Sequence, residues 1–239
     1  MIRWLTLALG LIAGPAAAVT CADVGFEGLS YTTCTVDPAT ERLQLVLFDD
    51  TGAPYGDFAT LARAYEGRAI PFAMNAGMYH EDRSPVGYLV QNGVEKSPLL
   101  TGASGGNFGM LPNGVFCIKS GRAQVYETHV LQAMSSLCEQ ATQSGPMLVI
   151  GGELHPRFLP DSTSRYVRNG VGTTADGDRA VFAISNQAVT FYEFARFFSD
   201  GLGLPDALYF DGNVSRLHAP SLGRSDPGRA MGPIVAVIE

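Results

Sequence analysis

Residues 190–215 read TFYEFARFFSDGLGLPDALYFDGNVS. Thr190 and Glu193 stand at capping-box spacing, and Phe191, Phe194, Ala195 and Phe198 fall on one helical face. Gly201 supplies a terminal stop and Pro205 forbids continuation, so the pattern predicts a helix over 191–200. Leu208, Tyr209 and Phe210 then form an apolar strand that runs straight into Asp211-Gly212-Asn213-Val214-Ser215. A carboxylate ending a buried strand is costly unless a cation or hydrogen-bond donors meet it.

Upstream, the basic run Arg165-Tyr166-Val167-Arg168-Asn169-Gly170 offers such a cation. Asn75-Ala76-Gly77-Met78-Tyr79 is a third polar cluster following an apolar stretch. Three junctions of this kind suggest a site assembled at strand ends. Each also has a turn explanation: Asp211-Gly212 could close a hairpin in which Tyr209-Phe210 pairs with 214–217.

Between these landmarks the chain is rich in strands. Runs at 43–48 and 69–74 flank a short helix that Asp57 caps and that presents Phe58, Leu61, Ala62 and Tyr65 on one face. Asn92-Gly93, Asn113-Gly114 and Asp176-Gly177 are hairpin signals, and a further strand follows Ser120-Gly121. Val130, Met134, Leu137, Cys138 and Ala141 line one face of an expected helix from Thr128, after which 147–150 is another apolar strand. The order predicts one α+β domain over 19–239: a largely antiparallel mixed sheet with a few packed helices.

Arg3, the apolar run 4–12 and Ala16-Ala17-Ala18 have the form of a signal peptide, expected to span 1–18. The run is too short for a lasting membrane anchor, which points to a periplasmic or secreted protein. Four cysteines in an exported chain favour two disulfides, and the preferred pairing is Cys21–Cys34 with Cys117–Cys138, the latter tying a strand to a helix. A zinc site is the rival, but no cysteines lie close in sequence and no histidine stands at finger-like spacing. The formal charge of −7, with no basic run interleaved with aromatics, argues against nucleic acid and anionic membrane surfaces. Gly102-Ala103-Ser104-Gly105-Gly106 matches a hydrolase nucleophile pattern but lacks the following helix, so a flexible loop is the preferred reading.

Taken in order, Asn75-Ala76-Gly77-Met78-Tyr79, Ser84-Pro85-Val86-Gly87, Asn107-Phe108-Gly109-Met110, 144–149, Arg168-Asn169-Gly170-Val171-Gly172 and 209–215 resemble the phosphodiester glycosidase family. That family includes the lysosomal enzyme that removes N-acetylglucosamine from a sugar-phosphate diester, and the chain looks like a short, exported bacterial branch. Other members often read Asn-Gly-Gly-Phe at Asn75–Met78 and Asp-Gly-Gly at Asp211–Asn213.

The resemblance implies hydrolysis of a sugar-1-phosphodiester or a related envelope glycan. A phosphate leaving group is already a stable anion, so an acid to protonate it is dispensable and charge stabilisation takes its place. Arg168 is assigned to the phosphate, with Arg165 as a second candidate, because a guanidinium fork meets phosphate oxygens in pairs. Asp211 would activate water or support the developing positive charge, with Glu153 as reserve carboxylate. Asn75, Asn169, Asn213 and Ser215 would bind hydroxyls or phosphate, and Gly77, Gly170 and Gly212 would let the backbone approach. No cofactor is expected, and Asp211 with Asn213 falls well short of a calcium cage. The alternative is a non-catalytic envelope protein that binds glycan or wall polymer through the same cleft.

Overall fold

A computed structural model describes residues 19–103, 105–134 and 138–239. The expected signal peptide, Ser104 and Leu137 lie outside these residues. Three antiparallel sheets meet around a shared core. The largest has seven strands in the order Thr20–Phe26, Leu29–Val36, Ala180–Ser185, Asn169–Thr173, Asp206–Tyr209, Met147–Ile150 and Glu153–Leu154. A second orders Arg224–Ser225, Leu217–Ala219, Phe72–Asn75, Ile234–Val237 and Leu43–Val46. The third orders Val94–Ser97, Leu89–Gln91, Gln140–Ser144, Gly114–Lys119 and Arg122–Glu127.

One phenylalanine from each sheet marks the centre. Phe72 and Phe182 lie 4.6 Å apart between ring centroids, and Phe116 meets Phe182 edge-on at 5.6 Å. The seven-stranded sheet is apolar on both faces because each face is covered. Phe182 and Ile184 enter the central core, whereas Val181 and Ala183 pack toward the helical side. The two-residue period of a strand produces this division. It repeats in the Asp206–Tyr209 strand, where Leu208 and then Phe210 face the centre while Ala207 and Tyr209 face the helix.

That helix begins as anticipated. Thr190 Oγ1 accepts from the Glu193 N–H, and the Glu193 carboxylate accepts from the Thr190 N–H. Its α-helical part is Phe191–Arg196, and it continues as a π-helical turn, Phe197–Gly201. The wider turn brings Phe197 inward with Phe198, and Phe197 stacks on Tyr31 at 3.9 Å. The capped helix Phe58–Ala64 and the hairpins at Asn92-Gly93, Ser120-Gly121 and Asp176-Gly177 also match the sequence reading.

Two expectations are corrected and one alternative is removed. Asn113-Gly114 is no hairpin turn: Asn113 is fully buried, donating to the Phe108 carbonyl at 2.9 Å and accepting from the Thr128 hydroxyl at 2.7 Å. The helix from Thr128 stops at Ala133, Val130 is 53% exposed, and Gln140–Ser144 is a strand. Its polar residues are buried because tertiary partners meet them; Gln143 alone serves the Tyr88 and Leu100 N–H groups, the Leu100 carbonyl and the Thr128 hydroxyl. Finally, the Tyr209 strand does not fold back onto Leu217–Ala219. The two belong to different sheets, joined by a single 3-10 turn, Gly212–Val214.

Both favoured disulfides, Cys21–Cys34 and Cys117–Cys138, are formed. Cys138 precedes a strand rather than lying in a helix. The second bond spans 21 residues, a loop length for which cross-linking is worth about 3 kcal/mol. Cys117→Ala/Cys138→Ala is therefore expected to lower the Tm clearly, read by thermal denaturation. An unchanged Tm would mean that the bond constrains nothing.

Candidate active site

Register brings the two chemically distinctive residues together. Gly170 pairs with Tyr209 across the antiparallel ladder, and the Phe210 N–H donates to the Asn169 carbonyl at 3.0 Å. One position beyond that bond, Arg168 and Asp211 leave the two strands at the same end of the sheet. Asp211 retains extended backbone angles, so alternation keeps it on the Tyr209 face, the side of the capped helix. Arg168 and Asp211 line one cavity of about 370 Å³ with Met78, Tyr166, Phe191 and Tyr209.

Arg168 is 1% exposed. Its Nε donates to the Val189 carbonyl at 2.9 Å and its Nη2 to the Ser164 carbonyl at 3.1 Å. The guanidinium carbon sits 3.6 Å from the Phe191 ring centroid and 5.6 Å from those of Tyr166 and Tyr209. Burial lowers its pKa from the ordinary value, while attraction from Tyr209 acts the other way. Among the described residues no carboxylate forms an ion pair with it. Carbonyl dipoles, aromatic faces and the Tyr209 hydroxyl hold this cation, and Glu193 attracts it without forming an ion pair.

Asp211 is the only carboxylate among the residues lining this cavity. Burial pushes its pKa up, opposed by the Asn213 N–H, which donates to Oδ1 at 3.0 Å. The Tyr209 hydroxyl accepts from the Gly212 N–H at 2.7 Å, and burial above all raises its pKa. A β-carbon at Gly212 would collide with that hydroxyl, so Gly212 is needed for the turn to close on Tyr209.

The asparagines have a different part from the one expected. Asn169 Nδ2 donates to the Asn75 carbonyl at 2.9 Å and to Asn75 Oδ1 at 3.1 Å. Asn75 Nδ2 donates to the Asp211 carbonyl at 3.0 Å, and its Oδ1 accepts from the Arg216 N–H at 2.8 Å. Ser215 Oγ donates to Asn169 Oδ1 and to the Val167 carbonyl, each at 3.1 Å. The two buried asparagines are spent on one another and on the backbone. They clamp the ends of the two sheets and fix the Asp211 backbone, while Ser215 holds Asn169 from the rim of a neighbouring cavity.

Gly77 and Gly170 are likewise packing glycines, since a β-carbon would strike the Gln143 carbonyl at the first and the Leu208 carbonyl at the second. Arg165 is taken by Glu193, with two bonds of 2.9 and 2.6 Å, and braces the helix cap. Glu153 is exposed and stands outside the residues that line the cavity. Asn213 and Gly212 do line it. Tyr166, Phe191 and Ser164 were missed as site residues. The sequence signal for Phe191 was its place at the first turn of the helix, which aims its ring at the strand end.

The arrangement is an aromatic-walled cleft with one cation that no carboxylate pairs and one half-buried carboxylate, suited to a ligand that combines a ring with an anionic group. The chain belongs to the phosphodiester glycosidase family, whose model matches residues 68–230. It is 33% identical over 220 residues to an uncharacterised protein, YigE, of Escherichia coli (strain K12), covering 91% of this chain and 85% of that one. Its fold resembles the catalytic domain of zebrafish N-acetylglucosamine-1-phosphodiester alpha-N-acetylglucosaminidase, auto-inhibited by its pro-peptide. That match has a TM-score of 0.62 at 15% identity and covers 96% of this chain and 85% of the other. A Burkholderia pseudomallei protein described as exported matches with a TM-score of 0.56 at 11% identity, over 87% of this chain and 74% of the other.

Proposed function

We propose that this protein is an exported hydrolase that cleaves a sugar from a sugar-1-phosphodiester or related envelope glycan. The carrying observation is that a buried guanidinium without a carboxylate ion-pair partner and a half-buried carboxylate share one cavity. The first suits the departing phosphate, and the second suits water or the sugar cation.

In the reaction, a water oxygen bonds to the anomeric carbon as the bond from that carbon to the phosphate oxygen breaks. The electron pair of the broken bond stays on the phosphate, whose charge Arg168 stabilises through the N–H groups not given to Val189 and Ser164. Asp211 accepts the proton from water and later releases it to solvent. Its poor solvation makes it a better base than an exposed aspartate. Tyr166, more than half exposed at the cavity, offers a face for the sugar ring. The requirement for one carboxylate rather than two agrees with the position of Glu153.

A panel of sugar-1-phosphodiesters and envelope polymers, followed by release of reducing sugar and phosphomonoester, tests the reading. Turnover by the wild type that Asp211→Asn abolishes is the expected result. Binding without turnover would instead support a glycan-binding envelope protein. Neither binding nor turnover across the panel would remove both readings.

A further inference from the structure

A second cavity, of about 390 Å³, meets the first at Gly212 and Asn213 and is lined by Ser215, Arg216 and Arg229 among others, with no carboxylate. Resting on the hydrolase reading above, we propose that this cavity is an anion subsite that takes a second phosphate on the leaving-group side of the substrate. The preferred substrate would then be the end of a phosphate-repeating chain rather than an isolated diester.

Arg216 carries the argument. It is 5% exposed, yet its Nε is buried with no hydrogen-bond partner. Its Nη2 donates to the Arg229 carbonyl, and the guanidinium carbon lies 5.8 Å from the Phe58 ring centroid. Gly228 has a φ of 154°, and a β-carbon there would come within 3.0 Å of Arg216 Cδ, so the arginine needs glycine beside it. A guanidinium held this way has donors left over for an incoming anion.

The nearby acids do not cancel it. Asp226 and Asp57 attract Arg216, but Asp226 is bonded to the Arg224 guanidinium and the Leu217 N–H. Asp57 caps the Phe58–Ala64 helix through the Thr60 N–H. Neither Arg216 nor Arg229 forms an ion pair among the described residues. A third cavity, which also holds Arg83, shares Arg229 and Asn213 with the second and Asp211 with the first. Glu81 also lines this third cavity, so the surface free of carboxylates is the second cavity, which adjoins the reacting centre at the Gly212–Val214 turn. Phosphates in successive units of one chain could occupy the first and second cavities.

A short glycerol phosphate oligomer is the probe, titrated calorimetrically at low salt into wild type, Arg229→Ala, Arg229→Glu and Asp211→Asn. The expected result is wild-type binding that weakens by about tenfold or more in Arg229→Glu, with an unchanged Tm. Asp211→Asn should retain it, and a neutral glycerol oligomer should not bind. Equal binding by wild type and Arg229→Glu, or none by the wild type, would overturn the subsite. Because binding is read rather than turnover, failure of the hydrolase reading alone would leave this titration intact.

Discussion

Asp211→Asn is expected to abolish turnover while raising the Tm at neutral pH. The loss of rate follows from removing the only carboxylate among the cavity-lining residues, a change of roughly 10²–10⁴-fold for a positioned base. The gain in stability follows from the sign of the linkage. Burial holds the Asp211 pKa above its ordinary 3.8, so the folded protein binds this proton more tightly than the unfolded chain. Stability from this group is greatest below 3.8 and declines as pH rises through the higher folded value. At neutral pH the wild type carries that penalty in full. Asparagine keeps an oxygen for the Asn213 N–H and has no charge to desolvate. Each kcal/mol recovered should add roughly 2–4 °C in a chain of this size. The acid limb of the wild-type rate profile should also lie above 3.8. Full activity in the folded variant would remove Asp211 from the chemistry, and a sharp fall in Tm would show that its charge is compensated.

The second large effect is at Arg168, where function and stability separate between two substitutions. Arg168→Ala removes the donors to the Val189 and Ser164 carbonyls and leaves a void against Phe191. A loss of about 3 kcal/mol or more is expected, since buried orphan carbonyls and a cavity act together. Arg168→Lys keeps the charge but cannot span two carbonyls and a phosphate at once. It should fold with a smaller Tm loss and still lose roughly 10²-fold or more in kcat. Wild-type kcat in Arg168→Lys would show that any cation serves, or that none is needed.

Such separations were beyond the reach of sequence because polar residues of one type serve different ends. Asn75, Asn169 and Asn213 all stood within two residues of a glycine at strand ends, yet the first two bind each other and, of the three, only Asn213 lines the cavity. Arg165 and Arg168 lie three apart on one segment. The first stays exposed and pairs with the half-buried Glu193 cap, and the second enters the aromatic cleft. Gln140–Ser144 misled for the same reason: its buried amides and hydroxyls find partners from Leu89–Gln91, Leu100 and Thr128 that no local pattern announces.

Local chemistry written along the chain determined many of the elements themselves: the Thr190–Glu193 cap, the two-residue alternation through Tyr209 and the hairpin turns at Asn92-Gly93, Ser120-Gly121 and Asp176-Gly177. Those depend on neighbours within a few residues, where backbone geometry and side-chain period leave few choices. Only the tertiary structure decided which sheet each strand joined and in what register. Pairing Gly170 with Tyr209 brought Arg168 and Asp211 to one cavity, while sending Leu217–Ala219 to another sheet made the turn at Gly212–Asn213 a wall of it. Register and sheet membership are fixed by long-range burial, in which the whole core contributes and no single segment holds the answer.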